Sequence, residues 1–287
     1  MTPTISLEFF PPQNLEGSFR LWDTIHALST LNPRFVSVTY GAGGTTRDLT
    51  RDAVRTINKA TGLSVAAHLT CVDASRAETL EIAEDYAAAG ISEIVALRGD
   101  PPKGSGVFQP HADGFANSIE LIEALAGLGK FTLRVGAYPD THPEARNAKA
   151  DIDWLKAKLD AGADEAITQF FFEADSFLRF RDACVKAGID KPIIPGILPI
   201  ENWKGARNFA FRCGTSVPAW LDDAFGKAER DGREDLLATA LCTELCSDLM
   251  EEGVSDLHFY TLNRPELTRD VCHALGITPQ VQLQNVA

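Results

Sequence analysis

Eight short apolar runs rich in Val, Ile, Phe and Thr recur along the chain, and this repeat limits the possible folds more than any other feature. Their spacing averages roughly 30 residues, the length of one β-strand plus one α-helix, and helical patterns fill the gaps. The runs are ISLEFF (5–10), RFVSVTY (34–40), LSVAAHLTC (63–71), EIVALRG (93–99), FTLRVGAYP (131–139), EAITQFFF (165–172), PIIPGILP (192–199) and DLHFYTLN (256–263).

This alternation predicts an α/β fold. Near-continuous apolar strands separated by helices indicate a parallel sheet that helices cover. Eight strands favour a closed (β/α)8 TIM barrel over a doubly wound sheet, and we expect one catalytic barrel domain over residues 1–287. The gap before the last strand is longer than the others, and residues 201–255 contain about three helical stretches. Extra helices are therefore expected after strand 7.

The composition of the chain restricts its possible binding partners and its cellular compartment. A net charge of −13 argues against a nucleic-acid or anionic-membrane partner, because both require basic patches. The N-terminus lacks a basic region before an apolar core, and no run reaches the roughly 20 apolar residues of a membrane helix. The six cysteines form no CxxC pair and are interpreted as small buried thiols rather than metal ligands. These features predict a cytoplasmic protein without a metal site.

Polar residues collect where the predicted strands end, which is the edge at which TIM barrels carry their chemistry. Glu8 is the most unusual of them, because it is a carboxylate set between Leu7 and two phenylalanines. Alternatively, each of these residues is an unrelated capping or loop residue. That explanation is reasonable for any single position, but it is a poorer explanation for the whole set. The set comprises Glu8, Thr39, Tyr40, His68, Thr70, Arg98, Asp100, Tyr138, Gln169, Asn263 and Arg264.

Individual motifs leave alternatives open. The glycines of YGAGGTT (40–46) suit either a turn that binds phosphate or a strand-to-helix turn that needs glycine only for steric reasons. The motif matches neither of the nucleotide-binding patterns GxGxxG and GxxxxGK[ST]. Arg98 and Asp100 in ALRGDPP form either a ligand site or a structural ion pair. Gln169 suits a planar heterocycle with adjacent donors and acceptors, or it bonds to neighbouring backbone.

Taken together, the motifs resemble those of the methylenetetrahydrofolate reductases. The resemblance runs from about residue 5 to 275, keeps both order and spacing, and looks like the short bacterial type without a regulatory domain. It rests on LEFFPP, SVTYGAGGTTRD, AHLTC, ALRGD, ITQFFFEADSFLRFRD, IIPGILPI and HFYTLNRPEL.

The resemblance implies a barrel that holds non-covalent FAD at its mouth. NAD(P)H, with NADH favoured, reduces the flavin and leaves, and methylenetetrahydrofolate then takes its place and receives the hydride. Glu8 falls on the family's catalytic glutamate, which as general acid protonates folate N10 and opens the five-membered ring. An apolar wall of phenylalanines would keep Glu8 protonated near neutral pH.

Further roles carry over position by position. Asp100 matches a catalytic carboxylate that contacts both flavin and folate, and Gln169 matches an amide that contacts folate and nicotinamide. Phe209 matches an aromatic that stacks on substrate, and Arg264 faces the glutamate tail of folate. Thr39 matches a nicotinamide contact. The matching FAD positions are Tyr40, Ala42, His68, Arg98, Gly99, Asp100, Ala112, Tyr138, His142, Ala145, Asp151 and Lys158.

Three departures from the family pattern keep a flavin-independent reductase among the alternatives. Gly205 replaces a common glutamine, and Trp154 and Ala157 replace polar or basic residues on the FAD-binding helix, which predicts weaker flavin binding. The alternatives are a flavin-independent reductase, a pterin-binding methyltransferase, a phosphate-handling lyase, and a folate-binding protein without catalysis. The resemblance also predicts a homo-oligomer, either a dimer or a tetramer.

Overall fold

A computed structural model describes residues 2–41, 46–100 and 108–279. Within these ranges it contains nine strands: β1 Thr4–Phe9, β2 Val36–Val38, β3 Val65–Thr70, β4 Glu93–Leu97, β5 Thr132–Ala137, β6 Glu165–Thr168, β7 Ile193–Ile194, β8 Gly196–Ile197 and β9 Asp256–Tyr260. The helices are α1 Leu15–Ser29, α2 Arg47–Thr61, α3 Arg76–Ala88, α4 Ser118–Leu128, α5 Ala148–Asp160, α6 Ala174–Lys186, α7 Trp203–Cys213, α8 Ala219–Asp231, α9 Glu234–Glu251 and α10 Pro265–Ala274.

The strands form a parallel barrel. Their order is β7-β6-β5-β4-β3-β2-β1-β9-β8. Only Pro195 separates β7 from β8, and β7 pairs with β6 whereas β8 pairs with β9. Proline has no backbone N–H to donate, so one strand is divided at this point, and its two halves bridge the two ends of the sheet. The predicted (β/α)8 barrel is confirmed, with the extra helices α7, α8 and α9 after strand 7.

Local sequence signals explain where many helices begin. Ser75 and Glu78 form a reciprocal capping box at the start of α3. Pro265 occupies the first turn of α10, where a missing N–H costs nothing. Asparagine side chains cap four other helices by accepting a backbone N–H, namely Asn14 for α1, Asn117 for α4, Asn147 for α5 and Asn202 for α7.

Alternation along β1 separates the core from the barrel interior. Leu7 and Phe9 are fully buried in the main hydrophobic cluster, which includes residues of the surrounding helices. Glu8 points the other way, since it reaches His68 on the non-adjacent strand β3. The phenylalanine next to Glu8 on this strand therefore packs outside the barrel, whereas the carboxylate lies inside it.

Two other expectations concern cysteines and membranes. Five of the six cysteines are buried and Cys213 is half-buried, and all six are free thiols, as the sequence predicts. Among the described helices, none is long and apolar enough to span a membrane.

Candidate functional site

A cavity of about 440 Å³ opens at the carboxyl ends of β3, β4 and β5, beside α5. This volume is within the range of small-molecule sites. Most of the predicted cofactor-binding positions line it: Tyr40, Arg98, Gly99, Asp100, Tyr138, His142, Ala145, Asp151 and Lys158.

The remaining predicted cofactor positions lie elsewhere. Thr39 follows β2, where its carbonyl accepts the Thr50 hydroxyl hydrogen bond at 3.0 Å. His68 faces Glu8 inside the barrel, and Ala112 is exposed in the loop before α4. Ala42 lies outside the described residues.

The cavity lining contains two cationic side chains, Arg98 and Lys158, as well as the carboxylates of Asp100, Glu144 and Asp151. The Arg98 guanidinium pairs with both carboxylate oxygens of Glu144, at 2.5 and 3.1 Å, which raises its pKa. Lys158 on α5 is buried and donates a hydrogen bond to the carbonyl of Gly136 on the cavity wall. Burial lowers the pKa of Lys158 to about 8, although Asp151 opposes the shift. A lysine held in this way is suited to an anionic ligand.

The cavity wall is shaped by small residues and one unpartnered hydroxyl. Gly99 has φ +86°, and a Cβ there would lie 3.0 Å from Thr70 Cβ, so glycine is required. Thr70 Oγ1 is buried in the wall and has no hydrogen-bond partner among the residues that the structure describes. A buried polar atom without a protein partner is expected where a ligand supplies one.

A second polar cluster surrounds Glu8 in the barrel interior. Oε2 of Glu8 lies 3.3 Å from His68 Nε2, 3.7 Å from His258 Nε2 and 3.5 Å from the Ser37 hydroxyl that donates to it. Burial raises the pKa of Glu8, but hydrogen bonding and charge from His258 and His68 outweigh it and lower the pKa to about 2. The expected phenylalanine wall is therefore wrong, because Phe9 packs on the opposite face of β1.

Of the predicted substrate residues, Asp100 lines the cavity, whereas Gln169, Phe209 and Arg264 lie outside its lining and are not brought together into one cluster. Gln169 follows β6, and its Oε1 accepts the N–H of Phe170 at 3.0 Å. Phe209 on α7 packs on Phe170 with ring centroids 5.1 Å apart. Arg264 precedes α10 and lies 3.8 Å from Glu201.

Asn263 makes two hydrogen bonds with the backbone of Phe10. Its side chain accepts from the N–H of Phe10 and donates to the carbonyl of the same residue, both at 2.9 Å. This double hydrogen bond ties the segment after β9 to the end of β1.

Sequence reasoning missed two functional candidates. His258 on β9 reaches the Glu8 cluster, and strand alternation in DLHFY was the signal that places it on the interior face. Glu144 pairs with Arg98 from an irregular loop, where the sequence offers no periodic signal.

The fold and the two clusters define a barrel enzyme with a polar ligand cavity, lined by charges of both signs, at the carboxyl ends of its strands. The family model "Methylenetetrahydrofolate reductase" matches residues 1–276, and the chain belongs to this family of oxidoreductases. It is 48% identical over 276 residues to the 5,10-methylenetetrahydrofolate reductase of Escherichia coli K12, covering 96% of this chain and 91% of the relative. It is 47% identical over 278 residues to that of Pectobacterium carotovorum, again with 96% and 91% covered.

A plant relative and two solved structures extend the comparison. "Methylenetetrahydrofolate reductase (NADH) 1" of Arabidopsis thaliana is 34% identical, covering 97% of this chain and 49% of the relative. A Clostridium thermocellum protein that binds two copies of 5-methyl-5,6,7,8-tetrahydrofolic acid superposes with TM-score 0.60 at 16% identity, covering 96% and 94%. A 2,3-dimethylmalate lyase superposes with TM-score 0.51 at 12% identity, covering 91% and 76%. These two structures support the barrel fold alone.

Proposed function

We propose that this protein reduces 5,10-methylenetetrahydrofolate to 5-methyltetrahydrofolate with NAD(P)H and holds FAD non-covalently in the cavity. The observation that carries the proposal is the placement of a cavity holding Arg98 and Lys158, and of the Glu8 cluster, at the carboxyl ends of the strands in a barrel of this family. NADH is the favoured reductant, which agrees with the name of the Arabidopsis relative.

The residues around the cavity fit a dinucleotide. Arg98 and Lys158 provide charge for a diphosphate, and Thr70 Oγ1 provides an unused hydrogen-bonding group. Trp154 lines the cavity from α5 and offers a flat apolar face, so this departure from the family pattern adds contact area. Bound there, FAD would supply a two-electron acceptor and donor between the nicotinamide and the folate.

Glu8 remains the proposed general acid, and Asp100 and Gln169 the proposed folate contacts. The Glu8 side chain retains 15% exposure, so a ligand can still reach it. Because its pKa is about 2 without a ligand, Glu8 must gain its proton as a substrate covers it. Removal of water from the Glu8 carboxylate by the bound substrate favours the neutral carboxyl group.

The visible spectrum tests the cofactor. An oxidised-flavin spectrum that bleaches with anaerobic NADH and recovers with methylenetetrahydrofolate is the expected result. A colourless protein that stays unresponsive after added FAD would favour the flavin-independent reductase, and Trp154, Ala157 and Gly205 would then become the residues to revert.

Glu8→Gln tests the acid. The variant keeps NADH-driven flavin reduction and loses about 10²- to 10⁴-fold in folate reduction, the usual contribution of a general acid. Stopped-flow absorbance measures each half-reaction separately. Equal folate reduction in the two proteins would remove Glu8 from the acid role, and loss of both half-reactions would point to misfolding.

Self-association and a cytoplasmic location stay predictions of the family resemblance.

A further inference from the structure

Trp154 combines an exposed apolar surface with a place in the cavity wall. The residue is 44% exposed, and among the large apolar residues that are exposed in the described part of the chain it alone lines the cavity. Phe211 and Trp220, for example, are exposed but lie outside the lining. A scattered apolar side chain on a protein surface needs no explanation, but one in the wall of a ligand cavity is expected to contact the ligand.

The indole ring of Trp154 is not engaged by the rest of the protein. Trp203 donates its indole N–H to Asp222 at 2.8 Å, and Trp220 donates its own to Glu173 at 3.1 Å. Within residues 2–41, 46–100 and 108–279, Trp154 makes neither such a hydrogen bond nor a ring-to-ring contact. Its flat face is therefore available to a planar ligand group.

Trp154 shares one face of α5 with Lys158. Residues four positions apart lie one turn apart, about 6 Å along the helix axis, and both of these line the cavity. Because α5 begins after the carboxyl end of β5, Trp154 lies one turn nearer the barrel mouth than Lys158. A ribose can span this interval between a base and a phosphate group.

The positions of Trp154 and Glu8 decide which ring of FAD would meet the indole. Helix α5 packs on the outside of β5, whereas Glu8 lies in the barrel interior opposite His68. The ring that passes hydride to folate has to lie on the interior side, close to Glu8. With the diphosphate at Arg98 and Lys158, the adenine ring is left at the outer side, where Trp154 lies.

Resting on the proposed function, we propose that Trp154 stacks on the adenine ring of FAD and makes the cavity select FAD over FMN. FMN has no adenine and gains nothing from this side chain. Stacking of a base on an aromatic side chain contributes about 5- to 140-fold in affinity. The stack offsets the polar contact that is lost where Trp154 departs from the family pattern.

Trp154→Ala tests the stack, and Trp220→Ala is the matched control because Trp220 is 45% exposed and does not line the cavity. Fluorescence titration of the flavin-free, full-length proteins measures the Kd of FAD and of FMN. Trp154→Ala should bind FAD about 5- to 140-fold more weakly and FMN as tightly as the wild type does. Trp220→Ala should bind both flavins like the wild type. Unchanged FAD affinity in Trp154→Ala, or equal losses for FAD and FMN, would overturn the proposal.

ADP and a second variant make the test independent of flavin chemistry. ADP should quench part of the tryptophan fluorescence of the wild-type protein, with calorimetry confirming that it binds. The quenching should disappear in Trp154→Phe, which keeps an aromatic ring and should retain most of the FAD affinity. Binding of ADP to the wild type without quenching would overturn the proposal. Quenching that depends on Trp154 in a protein without folate reduction would refute the proposed function and leave the stack intact.

Discussion

At the scale of single residues, Lys158 in the wall of the candidate cofactor cavity is buried at the expense of stability. Its ammonium group is buried on α5 and has a backbone carbonyl as hydrogen-bond acceptor, with Asp151 as the nearby opposite charge. Burying a charge in this way is unfavourable for folding, and an anionic ligand recovers the lost interaction.

Lys158→Met should therefore stabilise the protein at pH 7 by about 1–3 kcal/mol while weakening FAD binding. Because the folded pKa is about 8 and the ordinary value is 10.5, the unfolded chain binds more protons between these pH values. Wild-type stability then rises from pH 8 to 10.5 relative to the variant, and is lowest relative to it below pH 8. Urea unfolding of the flavin-free protein at several pH values measures this difference.

Lys149→Met is the control on the same helix, because that side chain is 83% exposed. Lys149→Met should change the free energy of unfolding by less than about 0.5 kcal/mol. If the two variants behaved alike, the charge of Lys158 would not be the cause.

At the scale of elements, the divided strand β7–β8 places a glycine where no side chain fits. A Cβ on Gly196 would lie 2.1 Å from the carbonyl oxygen of Thr168 and 2.6 Å from the Tyr260 ring. Tyr260 in turn donates to that Thr168 carbonyl at 2.6 Å. The glycine thus lets three strands approach closely beside the Glu8 cluster.

Gly196→Ala should destabilise the protein by about 1–3 kcal/mol or more, because the new methyl group overpacks a backbone contact. Thermal unfolding measures the change. Gly127→Ala in α4 is the matched control, since nothing lies within 4 Å of a Cβ there, and it should be neutral or stabilising by up to about 1 kcal/mol. A stable Gly196→Ala variant would show that the backbone around Thr168 shifts to make room for the methyl group.

At the scale of the whole molecule, the barrel interior is polar at both ends. Near the amino ends of the strands, the buried Arg134 on β5 pairs with Glu93 on β4 and with Glu165 on β6, the latter at 2.8 Å, and covers the Phe35 ring at 3.7 Å. Near the carboxyl ends, the Glu8 cluster occupies the same interior. The charge of Arg134 is balanced by carboxylates from the two neighbouring strands.

Arg134→Gln should cost about 3–5 kcal/mol at pH 7, since it leaves the Glu93 carboxylate without its cation and removes one of the two cations that pair with Glu165. Burial raises the pKa of Glu165, but Arg34 and Arg134 outweigh it and hold that pKa below its usual value. Without Arg134 the Glu165 carboxyl group accepts a proton more readily. The stability that Arg134→Gln loses relative to wild type should therefore be smaller at pH 5 than at pH 7. Urea unfolding at pH 7 and pH 5 measures it.

Arg269→Gln, an exposed arginine on α10 that pairs with Asp270, is the control and should have little effect at either pH. A deficit that is equal at both pH values would assign the cost of Arg134→Gln to lost packing rather than to charge.

The chain's own pattern determined the barrel, the strand positions, the extra helices and most of the cavity wall, because these depend on periodicity and on residues at strand ends. Only the tertiary structure decided that Glu8 lies among histidines, that Glu144 pairs with Arg98 and that Asn263 ties β9 to β1. Each of these contacts joins residues distant in the chain, and the environment of a charge depends on which strands face it across the barrel.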